Sequence, residues 1–143
     1  MADLLVRSIA LDCDVEHAFA TFTDKIDLWW PRGHSRHRDG SLRLEARKGG
    51  ALVDRATDGS EWTMGRVRAI EPPAALDLDW YPGSPASPTS VEIRFVAVAG
   101  HTEITVTHRP LAESEAIWAQ RVETFARGWD AVLPALKTII EES

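Results

Sequence analysis

Only one cysteine, Cys13, occurs in 143 residues. No internal disulfide can form, and a site built from clustered cysteines is excluded. A reducing compartment fits that usage, and Cys13 reads as a small buried residue rather than a nucleophile. No apolar run approaches the roughly 20 residues that a membrane-spanning helix requires. The N-terminus, Met1-Ala2-Asp3-Leu4-Leu5-Val6-Arg7, puts an acid before its short apolar run where a secretory signal puts basic residues, so the expected location is cytoplasmic. There is no Gly-x-Ser-x-Gly elbow and no glycine-rich phosphate loop, which removes two common enzyme signatures. Acidic residues outnumber basic ones, 22 to 16. A net charge of −6 argues against nucleic acid as the main partner, because such binding is driven by phosphate neutralisation.

What is present is an ordinary globular composition, 44% hydrophobic and 27% charged, in a length that predicts one domain over residues 1–143. Its most conspicuous feature is Trp29-Trp30-Pro31 followed by His34. Two adjacent indoles carry a large apolar area and two N–H donors, so they either plug one end of a core or line a pocket for something flat or greasy. Consecutive residues cannot both point inward in the same way, which places one of the pair nearer a pocket mouth. Arg32, His34, Arg36, His37 and Arg38 make a local basic patch, readable as a solvated loop or as a contact for an anionic group. His34 and His37 lack an obvious third ligand, so no metal site and no cofactor are expected.

Leu4 to Leu11 reads as a strand. Asp14 is a plausible helix N-cap ahead of Ala18, Phe19 and Phe22, and a second short helical turn, Asp24 to Trp30, must end where Pro31 disfavours helical geometry in the residue before it. From Leu42 onward the apolar period changes to two. Strands are predicted around Leu42 to Leu44, Ala51 to Val53, Glu61 to Ile70, Ala74 to Tyr81, Val91 to Phe95 and Thr102 to Thr107, with Asp58-Gly59 and Pro72-Pro73 as turns. Regular alternation would put Trp62, Met64, Arg66 and Arg68 on one face of the Glu61 strand. Leu76, Leu78 and Trp80 share a face, which leaves Asp77 and Asp79 facing water. Trp118, Val122, Phe125, Trp129, Val132, Leu136 and Ile140 then step by three and four, the signature of one long amphipathic helix, with Glu113 and Glu115 favouring its start. Gly128 and Pro134 are poor residues for its interior and predict a bend near 130 to 134.

The resulting class is α+β. A curved antiparallel sheet of six or seven strands, with two short helices after strand one, wraps around one long C-terminal helix. A gap between such a sheet and its helix is apolar and concave, the usual description of a small-molecule pocket.

Leu11-Asp12-Cys13-Asp14-Val15-Glu16-His17-Ala18-Phe19, Trp29 to His34, Gly49-Gly50, Gly65-Arg66-Val67, Glu71-Pro72-Pro73, Leu76 to Trp80, Thr105 to His108 and Gly128-Trp129, in this order, resemble the START-like (SRPBCC, Bet v 1-like) superfamily. Within it the chain is most similar to the group named for the C-terminal domain of the activator of Hsp90 ATPase. The resemblance covers nearly the whole chain. It implies a helix-grip fold whose last helix closes a hydrophobic cavity, among members that bind lipids, polyketides, hormones and other apolar ligands. Carried onto this sequence, it implies cavity-lining roles for Trp29, Trp30, His34, Trp80, Phe95, Trp118, Val122, Phe125 and Trp129.

Three functions are expected on these grounds. The favoured one is non-enzymatic binding of a small hydrophobic or aromatic molecule between sheet and helix. The second is a cyclase- or hydrolase-like enzyme using His34, with His108 as a further candidate, since an imidazole titrates near neutrality. The third is a chaperone-interacting module, disfavoured because the chain has no room for the N-terminal domain that the eukaryotic activator uses. Exposed strand edges leave a homodimer open.

Overall fold

In a computed structural model, the protein is described over residues 4–31, 39–81 and 86–142. The chain runs β1 (Leu5–Leu11), α1 (Val15–Asp24), α2 (Ile26–Trp29), β2 (Ser41–Leu44), β3 (Ala51–Arg55), β4 (Glu61–Glu71), β5 (Ala75–Trp80), β6 (Thr89–Val98), β7 (His101–Pro110), a 3-10 turn (Ala112–Ser114) and α3 (Glu115–Glu141). The strands form one antiparallel sheet in the order β1-β7-β6-β5-β4-β3-β2. This is the α+β helix-grip arrangement that the sequence predicts: a curled seven-stranded sheet holding one long helix, with both short helices inserted after β1. No helix among the described residues is long and apolar enough to cross a membrane.

Local chemistry explains the boundaries. The Asp14 carboxylate accepts a hydrogen bond from the His17 backbone N–H at 2.8 Å, capping α1 as its sequence position implies. Trp30 leaves helical geometry with φ −62° and ψ 127°, as the ring of Pro31 demands of its predecessor. The Asp27 carboxylate accepts from the Leu42 N–H at 2.8 Å and ties α2 to β2.

Period-two side chains divide the sheet. Leu76, Leu78, Val91, Ile93, Phe95, Ile104 and Val106 are buried on the concave face. On the convex face Asp79 accepts from Arg68, Asp77 from Arg94 and Glu92 from Arg109, each at 2.5 Å. The carboxylates expected to face water are therefore paired with arginines across neighbouring strands.

The regular alternation expected along β4 does not hold. Its pairing with β3 shifts at Leu52/Val53, and its pairing with β5 shifts between Val67 and Ala69. Each shift inserts an extra residue and reverses the facing of the residues beyond it, so Met64, Gly65 and Val67 are all buried. Gly65 lies tight against the β5 backbone: a Cβ there would lie 2.5 Å from the Asp79 carbonyl oxygen.

α3 remains a single helix of 27 residues across Gly128 and Pro134. Trp118, Trp129, Val132, Leu133, Leu136 and Ile140 are its buried residues, while Val122 and Phe125 pack against the core half-buried. Arg7 donates to Asp130 at 2.8 Å, and Lys137 to the Ala10 carbonyl at 3.1 Å, fastening the helix to β1. Ahead of it, the fully buried Ser114 hydroxyl accepts from the Leu111 N–H at 3.0 Å and donates to the Pro88 carbonyl at 2.7 Å. Replacing Ser114 with Ala strands two backbone groups away from water. The expected loss is about 1–3 kcal/mol in urea-denaturation stability.

Candidate ligand pocket

A half-enclosed pocket of about 150 Å³ opens between the end of α2, the end of β5 and the middle of α3. Trp30, Trp80, Phe125, Trp129, Val132, Gly128 and Thr124 line it. Its indoles also pack on one another. Ring centroids lie 6.0 Å apart for Trp30 and Trp80, 5.7 Å for Trp80 and Trp129, and 6.3 Å for Trp30 and Trp129, the last pair edge to face. These are ordinary attractive aromatic separations, so the walls hold one another in place.

The adjacent tryptophans take two different roles. Trp29, still helical, turns into the core, meets Phe22 at 5.2 Å and donates its indole N–H to the Thr21 carbonyl at 2.9 Å. Trp30, made extended by Pro31, is directed toward Trp80 and Trp129 instead.

Beneath the pocket lies a buried chain of hydrogen bonds. The Trp129 indole N–H donates to Nδ1 of His108 at 3.1 Å. An indole nitrogen only donates, so Nδ1 carries no hydrogen and the neutral ring bears its proton on Nε2. Nε2 lies 2.7 Å from Oγ1 of Thr89, which accepts that proton's hydrogen bond and donates its own to the Trp80 carbonyl at 3.1 Å. The chain thus starts on one pocket wall and ends on another. His108 has no exposed surface, stacks on Phe125 at 4.3 Å and meets Trp118 edge-on at 5.4 Å. Burial pushes its pKa down to about 3.

Among the residues expected to line a cavity, Trp30, Trp80, Phe125 and Trp129 do so. Trp29 and Phe95 pack within the core, Phe95 against Phe19 and Phe22, and Trp118 lies behind His108 and Phe125. Val122 packs against the core on α3 without joining the pocket lining. His34, and with it the basic patch of Arg32, Arg36, His37 and Arg38, lies outside the described residues. Cys13 is half-buried, its thiol pKa raised by desolvation and then by Asp14 and Asp12. Among the described residues no cluster of His, Cys, Asp or Glu has the makings of a metal site. Thr124, Gly128 and Val132 are the lining residues that sequence reasoning left out of the site. They recur every fourth position on α3, and the glycine was the visible signal.

The comparisons with known proteins agree with this architecture. Residues 12–141 match the family described as Activator of Hsp90 ATPase homolog 1-like protein. The chain belongs to that family. Among solved structures, a protein from Rhodobacter sphaeroides is similar at 21% identity and a TM-score of 0.72, over 97% of this chain and 92% of that one. CalU16 from Micromonospora echinospora is similar at 21% identity and a TM-score of 0.65, over 96% of this chain and 73% of its own. DynU16, from the dynemicin biosynthetic locus, is similar at 18% identity and a TM-score of 0.72; the match covers 99% of this chain but 48% of DynU16. At these identities the likeness establishes the fold. No curated protein matches the chain strongly enough to count as a relative.

The depressed pKa of His108 has a direct consequence for stability. Unfolded, the imidazole titrates near 6.5; folded, it stays neutral down to about 3. Its contribution is complete above pH 6.5 and is lost as the pH falls toward 3, because the unfolded chain takes up a proton that the fold refuses. Between pH 7 and pH 5 this group alone is expected to remove about 2 kcal/mol of denaturation stability. His108→Gln keeps an acceptor for Trp129 and a donor for Thr89 but does not titrate. Its loss over the same interval is expected to be smaller by that amount.

Proposed function

We propose that the protein binds a small hydrophobic or aromatic molecule, without chemistry, in the pocket between α2, β5 and α3. The observation that carries this reading is the make-up of the walls: three indoles and a phenyl ring, beside a buried chain that holds the Trp129 indole and whose one titratable member stays neutral. Burying apolar surface against such walls is the driving force, roughly 25 cal/mol for each Å² removed from water. A general acid or base needs a proton position facing the reacting atom. Both nitrogens of His108 are instead spent on Trp129 and Thr89. DynU16 comes from a biosynthetic locus, a setting in keeping with a small-molecule binder. The family's description names Hsp90 ATPase activation, but no described residue of this chain adds weight to a chaperone partner.

Titration calorimetry with a broad library of apolar and aromatic compounds tests the proposal. At least one compound is expected to bind saturably. Phe125→Ala, which removes a wall, is expected to weaken that compound at least tenfold, a change of about 1.4 kcal/mol. Saturable binding by none of the library would overturn the reading.

A further inference from the structure

Gly128 occupies the middle of a 27-residue helix, where glycine is the poorest helix former after proline. Side chains four apart on a helix share a face. Thr124 and Val132, four residues to either side, both line the pocket with Gly128, so a Cβ at position 128 would project into the same space. The poorest helix former after proline thus stands on the pocket-lining face of the helix.

The pocket that this leaves is small. Its volume is about 150 Å³. Sites for drug-sized ligands run to roughly 300–1,000 Å³, whereas a dry apolar cavity of roughly 150 Å³ takes up a single benzene ring. Among the described residues its lining contains no Lys, Arg, His, Asp or Glu. A buried carboxylate or phosphate would find no counter-charge among these residues, and an unpaired buried charge is strongly unfavourable. Thr124 is the exposed member of the lining and supplies a hydroxyl at the rim.

We infer that the group buried in this pocket is one uncharged aromatic ring, that its substituents leave past Thr124, and that Gly128 is the residue that limits it to one ring. The inference rests on the binding function proposed above and names the ligand class for the same site. Molecules with fused rings do not fit, although transfer from water alone favours them over a single ring. A long substituent in line with the exit is tolerated, because it remains in solvent.

Calorimetry on the full chain with phenol, 4-butylphenol, 2-naphthol and benzoate provides the test, alongside Gly128→Ala and Val132→Ala. Phenol and 4-butylphenol are expected to bind saturably, with 2-naphthol and benzoate at least tenfold weaker. Gly128→Ala is expected to raise Tm by about 3 °C while weakening phenol at least tenfold. Val132→Ala enlarges the pocket from the neighbouring turn and is expected to improve 2-naphthol relative to phenol. If 2-naphthol binds wild type more tightly than phenol and Gly128→Ala leaves both affinities unchanged, the single-ring limit is wrong while the binding function stands. A lower Tm for Gly128→Ala with unchanged affinities also overturns it, since the glycine would then serve close packing. If neither these four compounds nor the broad library bind, the binding function itself falls.

Discussion

The hydrogen bond from the Trp129 indole to Nδ1 of His108 joins the long helix to the sheet where water is excluded. Apolar packing alone is non-directional and would allow α3 to slide or rotate by small steps against the concave face. A buried donor and a buried acceptor, each costly to leave unmade, admit one arrangement. From that point the order spreads both ways. His108 orients Thr89, Thr89 holds the Trp80 carbonyl, and Phe125 stacks on the imidazole. Two of the pocket walls, Trp129 and Phe125, thus rest on a buried imidazole that does not itself line the pocket.

Where the indoles point is decided by backbone geometry. Pro31 forces Trp30 into extended conformation immediately after the last helical residue, Trp29, and that one change of ψ sends adjacent side chains in different directions. The same two residues in one continuous helix would point about 100° apart and could not serve core and pocket in this way. That the two indoles diverge, with one member nearer a pocket, was expected from their being consecutive; the part that Pro31 plays in it was not. Which indole would be the pocket member became clear only with the position of Trp80 and Trp129.

Much of the fold could be read in the same manner. Leu76, Leu78 and Trp80 alternate with Asp77 and Asp79, the α3 stripe recurs at three and four, and Asp14 stands where a cap belongs; each is a local signal with a local cause. The bulges in β4 were not readable, because an extra residue in one strand is defined only by its partners in β3 and β5. A hydrogen-bonding role for His108 could be read from its place at the end of a strand, but its partners could not. Its partners, Thr89 and Trp129, stand 19 and 21 residues away, and the sheet register with the seating of α3 brings them together. Apolar periodicity also passed over Thr124 and Gly128, since a pocket is partly defined by the side chain that is missing.

The aromatic rings have a consequence beyond packing. Trp29, Trp30, Trp80 and Trp129 succeed one another in space with centroids 5.6, 6.0 and 5.7 Å apart. Indoles this close exchange excitation energy, so light absorbed by one of the four is expected to be shared with its neighbours before it is emitted. Such sharing is expected to depolarise their emission even in a rigid, slowly tumbling molecule. A quencher seated against a single pocket wall would darken the buried Trp29 as well, so that an optical signal from the core reports events at the surface.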